Sequence, residues 1–186
     1  MEQFYYEDTA VVENADADCH SLLKASALLR YVEQISSMHA RKFGMDDKFF
    51  EDHGVAFLVG KQAAQITRMP LRAEKLTFLT ACEPCKKGSM KRLTRILDEA
   101  GKECALIDSR WIVVDTDREC ILRQPSWYTP GYWNEDLDGE LPQLVHKAKE
   151  LTCAGSRTAS YSLCDLNGHV NNACLLYTSP SPRDPK

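Results

Sequence analysis

From His20 to Phe43, apolar side chains fall at Leu22, Ala25, Leu28, Leu29, Val32 and Ile35. That is the i, i+3, i+4, i+7 spacing of a helix with one face turned to a core, and Gly44 supplies its stop. No other stretch in the first two thirds of the chain carries a long helical pattern. What flanks it favours strands. Gln3 to Glu13 is aromatic and β-branched. After the helix come 55–69, closed by Pro70, and 74–82, ending at Pro84. Residues 89–97 lead into the turn Asp98-Glu-Ala-Gly101, and 103–114 are followed by the turn Asp115-Thr-Asp-Arg118 and a short run closing at Arg123. An antiparallel sheet must bury one face, and a single long helix is the economical cover.

That arrangement, an antiparallel sheet wrapped around a central helix, is the α+β hotdog fold, expected here over residues 1–123. Residues 124–150 read as a linker. They hold Pro125, Pro130, Gly131 and Pro142, an acidic run, and the aromatics Trp127, Tyr128, Tyr132 and Trp133, which are expected to pack the linker onto a domain. A short helix is expected over 141–151, and weak alternation over 151–163 predicts a new strand.

That strand would run into YSLCDLNGHVNNA, residues 161–173. Asp165-Leu-Asn-Gly-His169 has the pattern D-x-N-x-H, and Asp16-Ala-Asp-Cys-His20 echoes it as D-x-D-x-H. Each stands where a first strand would meet a helix. The echo predicts two tandem hotdog units by duplication, the second beginning near Leu151. An isolated motif of this kind also reads as a helix cap, because Asp and Asn are preferred there.

D-x-N-x-H-V-N-N at the head of a second hotdog resembles the acyl-acyl carrier protein thioesterases, which are double-hotdog enzymes. Ile66-Thr-Arg-Met-Pro70 is similar to that family's strand ending in Arg-x-Pro, and the stretch from Gly101 to Asp115 to its hairpin with Ser-x-Trp and a turn Asp. The resemblance covers roughly residues 1–173. It implies hydrolysis of a fatty acyl-acyl carrier protein thioester to free fatty acid, with acyl carrier protein as partner and no cofactor or metal. It also implies a first unit that is largely a substrate-binding half and a second, from 151, that carries the catalytic motif.

The chemistry suits these residues. His169 is the natural general base, because an imidazole titrates near neutrality. Asp165 can orient the site or share in activating water, and Asn167 can hold a water or the thioester carbonyl without titrating. A helix starting near Gly168 would add free amides facing a developing oxyanion. Asn171 and Asn172 are expected to be structural. At the first motif, Ser-Leu-Leu follows His20 and Cys19 replaces the Gly, so Asp16, Asp18 and His20 are read as a cap without catalytic function.

Lys86, Lys87, Lys91, Arg92 and Arg95 concentrate positive charge in a chain of net charge −4. They are a candidate docking patch for the acidic carrier protein; a charged edge guarded against aggregation is the competing reading. The net charge excludes a global basic field for nucleic acid. No apolar run approaches a membrane span, and eight cysteines without framework spacing are expected to be reduced thiols in a cytoplasmic protein. Cys82-Glu-Pro-Cys85 lacks a second pair for zinc. His39 is placed at the boundary of the helix face and His53 in a loop. Competing functions are a hotdog acyl-CoA thioesterase and a non-catalytic acyl-thioester-binding hotdog protein.

Where the family motif continues with Tyr, Leu175 stands instead, and CLLYTSPSPRDPK follows, Ser/Pro-rich and unlike a helix. Residues 174–186 are accordingly expected to be a non-native tail, the second unit to be truncated, and this chain to be inactive for want of a further acidic or Cys catalytic residue downstream of His169.

Overall fold

The computed structural model describes residues 5–127, 129–143, 153, 155–156, 158–165 and 168–178. Strand β1 (Tyr6–Val11) is followed by helices α1 (Ala25–Lys42) and α2 (Asp47–His53). Strands β2 (Val55–Ile66), β3 (Lys75–Cys82), β4 (Ser89–Leu97), β5 (Glu103–Asp115) and β6 (Cys120–Ile121) come next, and α3 (Asn172–Thr178) last. The strands form one six-stranded antiparallel sheet in the order β1-β3-β4-β5-β2, with β6 on β5. The chain is a hotdog: α1 lies across the sheet. The sheet is not a simple meander, because β2 skips β3 and pairs with β5 at the far edge.

The predicted helical face is the one that packs. Leu28, Val32 and Ile35 meet Leu76 and Phe78 of β3, Ile96 of β4, and Ala105 and Ile107 of β5 in one core. Full burial of such a side chain contributes about 1.5–3 kcal/mol. Helix α1 starts at Ala25 rather than His20, because 18–24 make a turn and two short bridges, Ala17 to Leu23 and Leu22 to Leu71. It ends where expected, with Gly44 at φ +81°.

Helix α2 had no sequence expectation. Asp46 caps it, its carboxylate accepting from Phe49 N–H at 3.0 Å, and Gly54 ends it in the left-handed region at φ +60°. His53, expected in a loop, is its last residue, stacked on Phe49.

The second face of the sheet is crossed by residues 134–143 as a strap. Asn134 N–H donates to Cys82 C=O at 2.8 Å. Leu137 packs on Ala81 and Leu93. Leu141 N–H reaches the buried Asp108 carboxylate at 3.0 Å, and Glu140 pairs with Arg110 at 2.8 Å. Of the linker aromatics, Tyr132, Trp127 and Trp133 pack as expected in the cluster of Ala40, Met45, Met90 and Val113, and Tyr128 lies outside the described residues. The helix expected over 141–151 falls mostly outside the described residues, and 141–143 carry no regular structure. The strand expected over 151–163 does not appear in its described part, which ends in a 3-10 turn at Tyr161–Leu163. Residues 172–178 are helical, so the expectation of a non-helical stretch from Cys174 does not hold there.

Candidate active site

The second motif folds as a tight corner. Asp165 N–H donates to His169 C=O at 2.9 Å, and Gly168 N–H to Asp165 C=O at 3.0 Å. The His169 N–H reaches the Asp165 carboxylate at 3.4 Å. Gly168, at φ +73°, makes the reversal at low steric cost. Cys164 and Val170 close the corner as an isolated bridge. Asp165 and His169 are thus brought together through the backbone, while the His169 side chain is exposed. Asn167 lies outside the described residues. Helix α3 begins at Asn172, not near Gly168, and the Gly168 and His169 amides are already turned to Asp165. The oxyanion amides expected from a helix start at Gly168 are therefore not found there.

Asn171 is structural, as expected. Its Oδ1 accepts from Ala173 N–H at 2.8 Å, which caps α3. Its Nδ2 donates to both carboxylate oxygens of Glu33 on α1, at 3.0 and 3.2 Å. Ala173 is buried.

The same corner occurs near the N-terminus, in a different register from the one the sequence echo gave. Asp18 N–H donates to Leu22 C=O at 2.8 Å, Ser21 N–H to Asp18 C=O at 3.0 Å, and Leu22 N–H to the Asp18 carboxylate at 3.0 Å. Ser21 has φ +62°, and Ala17 and Leu23 form the bridge. A 3-10 turn, Asn14–Asp16, precedes it as Tyr161–Leu163 precedes the other. Asp18 therefore corresponds to Asp165, Ser21 to Gly168 and Leu22 to His169. The matching of Asp16 with Asp165 and His20 with His169 is two positions out of step, because identical letters were aligned rather than the turn. With Leu22 in the histidine's place, the first corner has no imidazole at that position; its His20 falls where the second corner has Asn167. Asp18 has its carboxyl held below the usual carboxylate range, first by the Leu22 amide.

Asp16 does something else. It is buried, pairs with Arg30, and accepts from Tyr31 Oη at 2.5 Å. Burial, then the Asp16 carboxylate, pushes the Tyr31 phenol up to about 12.

The basic cluster is not a free patch. Lys91 lies under the strap, pairing with Glu83 at 3.3 Å and donating to Leu137 C=O at 2.8 Å. Lys86 pairs with Glu83 at 3.8 Å and Asp136 at 3.4 Å, and Arg95 with Glu103 at 2.6 Å. Arg92 is buried on the α1 side of the sheet, donating to His39 Nδ1 and Thr80 Oγ1 at 3.1 Å each and to Tyr132 Oη. Lys87 alone of the five is exposed without an ion pair among the described residues. His39, placed at a boundary by sequence, is fully buried, stacked on Tyr132 at 4.4 Å. Burial, then Arg92 and Lys42, pushes its imidazole down to about 3.

Among the described residues, one group has metal-ligand proximity: Glu74, Asp98 and Cys104. Arg68 fills it, with bonds to Glu74 at 2.6 and 2.9 Å, to Asp98 at 3.1 Å and to Cys104 at 3.1 Å. The eight cysteines are free thiols. No helix among the described residues is long and apolar enough to cross a membrane.

Known proteins share this fold. A family model described as the acyl-ACP thioesterase N-terminal domain matches residues 3–129. An acyl-ACP thioesterase from Bacteroides thetaiotaomicron superposes with a TM-score of 0.81 at 21% identity, covering 93% of this chain and 71% of that one. A 12:0-ACP thioesterase from Umbellularia californica gives 0.78 at 14% identity, covering 95% and 74%. A DHNA-CoA thioesterase from Staphylococcus aureus gives 0.59 at 16% identity, covering 65% and 81%. Comparison with curated proteins by sequence gives no match.

Proposed function

The chain belongs to the acyl-ACP thioesterase family, and from that premise we propose that it acts in hydrolysing the thioester of fatty acyl-acyl carrier protein to free fatty acid and carrier protein, within fatty acid biosynthesis in the cytoplasm. Thioester hydrolysis itself follows from the family. The carrier-protein substrate is the finer reading.

In this reading residues 1–123 are the substrate-binding half, 124–150 the linker, and the unit from 151 carries the reacting groups. His169 is the general base that takes a proton from water as it attacks the thioester carbonyl. Asn167 holds that water or the carbonyl oxygen, and Asp165 orients the corner. The carrier thiol leaves as a thiol once it is protonated. The observation that carries the reading is the Asp165–His169 corner, which repeats the first corner's backbone but sets an imidazole where the first has Leu22.

The test is a chain-length series of acyl-carrier-protein and acyl-CoA thioesters, assayed with the protein expressed from its genomic locus and with the 186-residue chain. With the protein from the genomic locus, carrier-protein thioesters turn over faster and His169→Ala lowers kcat by about 10²–10⁴-fold; the 186-residue chain, wanting the downstream catalytic residue, is expected to release little or no fatty acid. Equal or faster turnover of acyl-CoA replaces the substrate reading with the acyl-CoA one. Turnover that survives His169→Ala removes His169 from the mechanism.

A further inference from the structure

Glu33 stands on α1, far from the motif in sequence, yet its carboxylate meets Asn171 of the motif. The contact is partly buried, with both oxygens within 3.2 Å of Asn171 Nδ2. Every polar group of Asn171 is engaged. Its N–H donates to Leu163 C=O at 3.0 Å, its C=O accepts from Leu175 N–H at 3.0 Å, and its Oδ1 caps Ala173. Asn171 is thus the joint through which the 3-10 turn, the His169 corner and α3 meet α1.

The first corner is built differently at this position. At the first corner Lys24 stands in the place of Asn171, with the same backbone bonds: its N–H to Asp16 C=O at 2.9 Å and its C=O from Leu28 N–H at 3.0 Å. There the side chain turns away, Nζ donating to Ala15 C=O at 3.0 Å, and α1 has no side-chain cap. At the corner that bears the imidazole, the side chain in this place is instead held by the Glu33 carboxylate.

Resting on the hydrolytic reading of that corner, we propose that Glu33 is a positioning residue for the active site. Its charge fixes the rotamer of Asn171, amide nitrogen toward α1 and oxygen toward Ala173, and so holds the His169 corner in one place against the substrate-binding half. A carboxylate accepting from an amide is stronger than a neutral pair, and only one orientation of the amide satisfies both ends.

The experiment is a reciprocal swap. In the 186-residue chain, Glu33→Ala speeds hydrogen exchange at the Ala173 and Leu175 amides by about fivefold, the loss expected when a cap is freed, while amides of β3–β5 are unmoved. Asn171→Asp alone sets two carboxylates face to face and has a similar effect. Asn171→Asp combined with Glu33→Gln reverses donor and acceptor, and exchange returns to within about twofold of the parent. In the hydrolysis assay of the protein expressed from its genomic locus, Glu33→Ala lowers kcat by about tenfold with KM unchanged, because the Glu33 carboxylate is engaged by Asn171 rather than by substrate. Unchanged exchange at Ala173 in Glu33→Ala, no recovery in the swap, or an effect on KM alone overturns the proposal. If the protein from the genomic locus releases no fatty acid, the hydrolytic reading falls, and the exchange data alone decide whether Glu33 holds the corner.

Discussion

At the scale of single residues, His39 and Arg92 share a pocket that would ordinarily exclude both. Burying a charge without an opposite charge is costly, and among the described residues Arg92 has neutral partners: His39 Nδ1, Thr80 and Tyr132. An imidazole that accepts from a guanidinium through Nδ1 cannot take a proton there, so His39 must stay neutral in the folded chain. Its folded value of about 3 lies below the ordinary 6.5, so protons bind the unfolded chain preferentially. Stability is fully present above pH 6.5 and falls as pH drops toward 3, by up to about 1.4 kcal/mol per pH unit from this group. Thermal melts between pH 7 and pH 4.5 should show that slope. His39→Gln, which keeps an acceptor for Arg92 but does not titrate, should flatten it.

Elements show where local signals were enough and where they were not. Helix α2 spans seven residues, too short for periodicity to reveal, although its cap Asp46 and its stop Gly54 stand in the sequence. Asp46→Ala frees the Phe49 amide and should cost about 1 kcal/mol in denaturant unfolding. The strap over β3–β5 is harder to foresee, because no periodicity marks an irregular segment. Between residues 134 and 143 its buried hydrophobic anchor is Leu137, packed on Ala81 and Leu93. Leu137→Ala should destabilise by about 2–4 kcal/mol in the same measurement, whereas Asp136→Ala, at the exposed Lys86 pair, should move stability by less than about 0.5 kcal/mol. The strap also accounts for two of the basic residues: Lys91 faces it, and strand alternation sends Arg92 to the helix side.

For the whole molecule, the sequence revealed what depends on repeating contacts and missed what depends on the chain meeting itself. The face Leu28, Val32, Ile35 and the strands of the sheet were legible, because period alone selects their buried side. The placement of β2 beside β5, the burial of His39 and the partner of Asn171 were not, because each is set by residues distant in sequence. Of the candidate site, Asp165 and His169 were legible from residue type and stand in one corner; the register of the repeat was missed because it lies in hydrogen bonds and a positive φ, not in shared letters. Stability should be graded accordingly. In hydrogen exchange, amides of Phe78, Leu93 and Ile107 should open only with global unfolding, and those of Leu163, Asp165 and Leu175 at lower free energy. The twice-drawn corner has one more implication: architecture and reactivity are written in separate places here. The bend is specified by an acid and a residue tolerant of left-handed backbone, and the next position is a vacancy that leucine fills as readily as histidine. His169→Leu should therefore keep the bend, already rehearsed by the chain in its own first twenty-odd residues.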